Sequence, residues 1–100
     1  MKNINISLKV DKVPTEQADA MFNQHRAWFA KNFQQGNFLL LGPYQDKEHA
    51  GVIIAQAESR EALDKVLSED VYYPLDLATY EVHEFKAAMV AENIKEFQGR

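Results

Sequence analysis

The sequence predicts an α+β domain in which four strands and two helices follow one another as β-α-β-β-α-β, with a tail helix after the last strand. Three observations predict it. Residues Asn3–Val10 alternate polar and apolar with period two, the mark of a half-buried strand. Two later segments space their apolar residues three and four apart, as helices with one buried face do. The other apolar runs are short and end on turn residues such as Gly42–Pro43.

Over Asn3–Val10, Ile4, Ile6, Leu8 and Val10 point one way and Asn3, Asn5, Ser7 and Lys9 the other. Pro14–Thr15 opens a helix, with Thr15 as its N-cap and Glu16 and Asp19 near the positive end of the helix dipole. The stripe of that helix is Ala18, Met21, Phe22, His25, Trp28, Phe29 and Phe33, and Gly36 stops it. Asn37–Gly42 is the second strand, Tyr44–Ala50 a polar turn and Gly51–Ala57 the third strand. Ser59 caps a second helix with Ala62, Leu63, Val66 and Leu67 on its inner side. Asp70–Leu77 is irregular and contains Pro74, and Thr79–Phe85 is the fourth strand. From Ala87 to Phe97 helical spacing returns, with Val90, Ile94 and Phe97 on one side. The expected division is a domain over 1–86 and a C-terminal helical extension over 87–100.

This order is the ferredoxin-like arrangement, an antiparallel sheet with both main helices on one face. Strands two and three are apolar on both faces. Alternation sets Phe38 and Leu40 against Leu39 and Leu41, and Val52 and Ile54 against Ile53 and Ala55. The face without helices would be an exposed apolar patch in a single chain, and a second copy packed sheet to sheet would cover it. A homodimer or higher homo-oligomer is therefore expected.

Composition excludes several classes. The formal net charge is -4 and no run of Lys or Arg exists, which disfavours nucleic-acid partners and a polybasic membrane contact. The chain has no cysteine, so disulfides, thiolate nucleophiles and Cys-based metal sites are out of reach. No apolar run is long enough to span a bilayer, and the N-terminus shows no signal-peptide pattern. The expected location is the cytoplasm.

Among chemistry-bearing residues, His25 is the most informative, because it lies mid-helix in the apolar stripe. A polar ring there must find a partner or stay solvated. Two readings follow: a core or interface histidine satisfied by its neighbours, or an acid/base residue. Asp70 ends the second helix, within Glu69–Asp70–Val71–Tyr72–Tyr73–Pro74. With both helices side by side on the sheet, that end can approach the middle of the first. A carboxylate accepting the N–H of one imidazole nitrogen would fix the tautomer and leave the other nitrogen free as a base.

Other constellations are weak. No serine sits in a Gly-x-Ser-x-Gly elbow, and neither a Gly-x-Gly-x-x-Gly run nor a phosphate-binding loop is present. No cofactor is therefore expected. His49 lies in a polar turn and His83 beside Glu81 and Glu84, without ligand spacing, so no metal is expected. Trp28 and Phe29 read as core or interface. Tyr44, just after Gly42–Pro43, is placed to line a pocket.

Taken in order, these features resemble the YciI-like family. The pattern is His25, then Gly36 eleven residues on, then an apolar strand ending in Gly42–Pro43. A second apolar strand, Asp70 with aromatic Tyr72, and a final strand ending in Phe85 complete it. The resemblance spans about Asn3 to Lys86. It implies a ferredoxin-like fold that dimerises into an α+β barrel. It also implies an active site pairing a first-helix histidine with an aspartate after the second helix, here His25 and Asp70. Gly42, Pro43, Tyr44 and Tyr72 are the corresponding substrate-binding candidates. One branch of the family eliminates chloride from a chlorinated muconolactone, and the barrel architecture is shared with muconolactone isomerases and cofactor-independent monooxygenases. The chain departs from the pattern at Phe22, where family members often carry an arginine, and at Val71, where they usually carry proline. The first change removes an anion clamp and the second frees the backbone before Tyr72.

The expected function is a cofactor-free enzyme in which His25, oriented by Asp70, moves a proton on a small organic molecule, as in isomerisation, elimination or dehalogenation. The alternative is a non-catalytic small-ligand-binding or interaction dimer with a structural pair. Cofactor-free oxygenation ranks third.

Overall fold

The computed structural model describes residues 1–100. Its elements are β1 (Lys2–Val10), α1 (Ala18–Gln34), β2 (Phe38–Pro43), β3 (Ala50–Ala57), α2 (Arg60–Ser68) and β4 (Ala78–Phe85). The strands form one sheet in the order β2-β3-β1-β4, with every neighbouring pair antiparallel. This is the α+β, ferredoxin-like architecture that the hydrophobic periods predict.

The register of β1 shows how the core is built. Ile6 lies between Ile53 of β3 and Val82 of β4, and Leu8 between Gly51 and Tyr80. The even-numbered residues of β1 therefore share one face with Ile53, Ala55, Tyr80 and Val82. Trp28 of α1 and Leu63 and Leu67 of α2 pack on that face in a single buried cluster. Ser59 Oγ accepts the Ala62 N–H at 3.1 Å, so the expected cap of α2 is present. Trp28 Nε1 donates to the Val66 carbonyl at 2.9 Å and ties α1 to the last turn of α2.

Four local expectations are corrected. Thr15 does not cap α1, because Thr15–Gln17 winds as a 3-10 turn first and α1 begins at Ala18. The Gln17 N–H closes that turn on the Pro14 carbonyl at 3.0 Å. The buried row of α1 is Met21, His25, Trp28 and Asn32, while Phe33 is 56% exposed. Residues 21, 25, 28 and 32 follow the i, i+4, i+7, i+11 row, and residue 33 lies one step of about 100° away. Asn32 is satisfied there: its Nδ2 donates to the Trp28 carbonyl and its Oδ1 accepts from Asn37 Nδ2.

The third correction concerns β2. A register shift between Phe38 and Leu40 sets Phe38 opposite Ala55 but Leu40 opposite Ile54. Phe38 and Leu41 thus share the helix face, and Leu40 lies on the open one, so Phe38 and Leu40 do not share a face as strict alternation implied. The fourth concerns the C-terminal helix. Residues 87–97 form no α-helix, only a 3-10 turn over Ile94–Phe97, and Val90, Ile94 and Phe97 are all exposed. Their stripe meets no apolar surface in the chain, and a helix of about a dozen residues is marginal in water without one.

Candidate active site

His25 sits near the middle of α1 with its ring turned toward the sheet side, and only 4% of the residue is exposed. Its neighbours are aromatic: Phe29 meets it edge-on at 4.3 Å between centroids, Tyr72 at 4.8 Å and Trp28 at 5.7 Å. Such a pocket keeps most of the ring from water, and the buried Nδ1 demands a polar partner. Asp70 supplies it.

Asp70 follows directly on the end of α2, in a chain of tight turns. Its N–H donates to the Leu67 carbonyl, its own carbonyl accepts the Tyr73 N–H, and the Leu77 N–H closes on Tyr72. These bonds turn the chain back under α1. His25 Nδ1 then lies 2.7 Å from Asp70 Oδ1, with the two side chains 5% and 0% exposed. The contact expected from the positions of the two helices is made. Asp70 Oδ2 accepts the Tyr80 hydroxyl, also at 2.7 Å, so both carboxylate oxygens are bonded.

His25 Nε2 has no hydrogen-bond partner in the protein, and no buried polar side-chain atom of the chain is left unsatisfied. Nε2 is therefore not sealed from solvent. His25 lines a cleft of about 800 Å³ between the N-terminal half of α1, the β2–β3 hairpin and the loop after β1. Gly42, Pro43, Tyr44 and Tyr72 line the same cleft, so the residues singled out from the sequence converge on one space. Asp70 does not line it and stands behind His25. Phe22, where the family pattern has arginine, lines the cleft with Arg26 one helical turn on, the guanidinium 5.9 Å from the Phe22 ring centroid.

Tyr44 lines the cleft, and its hydroxyl bonds to Ser7 Oγ at 3.0 Å. The wall beside it is tight: a Cβ on Gly51 would stand 2.8 Å from the Gly42 carbonyl oxygen. His49 lines the cleft as well, whereas His83 lies on the exposed surface against Glu81 at 3.2 Å. No three His, Asp or Glu side chains converge as a metal-binding group.

The electrostatics of the two tyrosines follow from their surroundings. Burial first, then the bond to Asp70, pushes the Tyr80 hydroxyl far above its ordinary pKa, so it remains a donor. Burial and the nearby Asp70 charge push Tyr72 in the same direction. Tyr80 escaped the sequence reading. Its signal was available: it shares a face with Val82, and a hydroxyl on an apolar face needs a partner.

An imidazole that gives its Nδ1–H to a carboxylate keeps an Nε2 lone pair free. That atom can accept a proton from a bound molecule and return it.

Comparison with known proteins bears on this arrangement. The family model described as YCII-related domain matches residues 4–86. No curated protein is matched. Among solved structures, muconolactone isomerase superposes with a TM-score of 0.74 at 14% identity, covering 90% of this chain and 96% of that one. The 5-chloro-2-hydroxyhydroquinone dehydrochlorinase of Burkholderia phenoliruptrix, in complex with 2,5-dihydroxybenzoquinone, gives 0.59 at 14% identity, covering 83% and 93%. An antibiotic biosynthesis monooxygenase gives 0.52 at 16% identity, covering 86% and 99%. At these identities the likeness is one of fold.

Proposed function

The chain belongs to the YCII-related family, and within it we propose a small-molecule enzyme in which His25 exchanges a proton with the substrate while Asp70 orients it. One observation carries the reading. The 2.7 Å bond from His25 Nδ1 to a fully buried carboxylate leaves Nε2 without a partner on a residue that lines a cleft. A cleft of about 800 Å³ suits a small organic molecule. Phe22, Phe29 and Tyr72 offer apolar surface to a flat ring, and Nε2 would meet an acidic C–H beside its carbonyl. Removal of that proton begins an isomerisation or an elimination, and the imidazolium formed would be stabilised by Asp70.

The reading includes a second copy of the chain on the open face of the sheet. Leu40 is 45% exposed there, beside Val52 and Ile54 of β3, while Asn5, Ser7, Glu81 and His83 make the β1–β4 half polar up to Phe85 at its end. An apolar half flanked by a polar one fits self-association better than exposure to water.

The test uses enolisable carbonyl compounds, cyclic enol-lactones and hydroxyquinones among them, incubated with the protein in D2O. Deuterium uptake at the carbon beside the carbonyl is read by NMR. General acid/base catalysis is worth roughly 10²–10⁴-fold, so His25→Asn should lower uptake by at least about 100-fold. Ligand-induced shifts at the His25 ring without uptake for any compound would instead favour a non-catalytic binding dimer.

A further inference from the structure

The carboxylate that orients His25 is itself held, and by a residue on a third element. Asp70 comes from the loop after α2 and His25 from α1, but Tyr80 is on β4, one of the two edge strands of the sheet. Its hydroxyl reaches Asp70 Oδ2 at 2.7 Å, the same length as the His25 bond on Oδ1. A carboxylate with one free oxygen could rotate about its Cβ–Cγ bond and present either oxygen, or a lone pair off the imidazole plane. With both oxygens bonded, it has one orientation. Resting on the acid/base reading of His25, we propose that Tyr80 is a positioning residue that locks Asp70, keeps the proton on His25 Nδ1 and so keeps Nε2 bare toward the cleft.

Three observations support the assignment. Tyr80 lies opposite Leu8 in the register, on the helix face of the sheet, so its ring is fixed by the core rather than by the cleft. Asp70 has no solvent exposure, so no water can take over Oδ2 without repacking. The Tyr80 hydroxyl holds its proton well above neutral pH, so the donor is present wherever the enzyme would work. Tyr73 provides an internal control. Its ring packs on Tyr80 at 5.8 Å between centroids, but its hydroxyl makes no bond to Asp70.

The experiment reads the ring-nitrogen shifts of His25 in the uniformly 15N-labelled full chain, at a pH where the imidazole is neutral. The wild type should show the Nδ1–H tautomer. In Tyr80→Phe the freed carboxylate can turn off the imidazole plane, so the charged hydrogen bond that favours Nδ1–H weakens and the ratio of Nδ1–H to Nε2–H should fall about tenfold. Tyr73→Phe should leave it unchanged. A ratio in Tyr80→Phe within about twofold of wild type would overturn the assignment, as would an equal change in Tyr73→Phe, which would mean that packing alone is being read. Should Tyr80→Phe not fold, Asp70→Asn serves from the other side. The Tyr80 13Cζ resonance must move in that variant, and a stationary one overturns the contact. The deuterium-uptake assay keeps the two readings apart. If His25→Asn is as active as wild type while Tyr80→Phe shifts the tautomer, the acid/base reading fails and the Tyr80 lock on the pair stands.

Discussion

At the scale of single residues, the chain places a carboxylate where water cannot reach it and satisfies it twice. Asp70 has 0% side-chain exposure, with His25 on one oxygen and Tyr80 on the other. Removing the carboxylate leaves the His25 Nδ1–H and the Tyr80 hydroxyl buried without an acceptor, at about 1–3 kcal/mol each, or about 2–6 kcal/mol together. Asp70→Ala should therefore lose about that much by urea denaturation, and Asp70→Asn clearly less, since an amide can still accept from one neighbour and bond the other. The tyrosines add a pH dependence. In the unfolded chain a tyrosine ionises near pH 10, whereas in the fold Tyr80 and Tyr72 keep their protons to higher pH. Below pH 10 both states are protonated and the contribution is fully present. Above it the unfolded chain sheds protons that the native one retains, so stability falls as pH rises. The urea midpoint should drop between pH 10 and pH 12, and less steeply in Tyr80→Phe than in wild type. Parallel slopes would show that Tyr80 ionises alike in both states.

Among the elements, the β2–β3 hairpin is the least tolerant part of the cleft wall. Gly51 pairs with Pro43, and its missing Cβ would press on the Gly42 carbonyl oxygen at 2.8 Å. Backbone cannot move aside as a side chain can, so Gly51→Ala should cost about 1–3 kcal/mol of overpacking by chemical denaturation. Displaced strands would also alter the cleft, because Gly42, Pro43 and Tyr44 border it. The order of the elements was legible in the sequence because each carries its own period: two in β1, 3.6 in α1 and α2. The His25–Asp70 contact was legible from the resemblance to the YciI-like family, together with a topology that lets the end of α2 approach the middle of α1. What escaped was set by contacts that no local period records. The shift at Phe38–Leu40 depends on pairing with β3, and an isolated alternating run gives no sign of it. Asn32 is buried because Asn37 and the Trp28 carbonyl satisfy it across a turn. The stripe of Val90, Ile94 and Phe97 has the spacing of a helix but no surface in the chain to pack against. Tyr80 gains its meaning only when β4 lies beside β1 and under the loop after α2.

For the whole molecule, the question is what covers the open face of the sheet. Ile54 lies there opposite Asn5 and Leu40, outside the buried cluster that joins the sheet to the helices. A lysine at position 54 would leave that core intact but place a charge in any sheet-to-sheet contact, where an unpaired buried charge is costly. The wild-type chain is expected to scatter light as a dimer, at twice its mass of 11.5 kDa, and Ile54→Lys as a monomer with unchanged far-UV circular dichroism. A wild-type monomer at micromolar concentration would remove the second copy from the proposal. The two outcomes also bear on the cleft. His25 and Asp70 belong to the helix side, so their tautomer signature should survive in a monomeric variant. Tyr44 differs, since its hydroxyl bonds to Ser7, whose side chain alternates onto the open face, while the residue lines the cleft. A second copy against Ser7 would hold that bond out of water and stiffen the Tyr44 ring. Ile54→Lys should therefore weaken ligand binding through Tyr44 while leaving the His25 ring nitrogens where they are. If monomerisation instead disturbs the His25 shifts, the pair depends on the assembly.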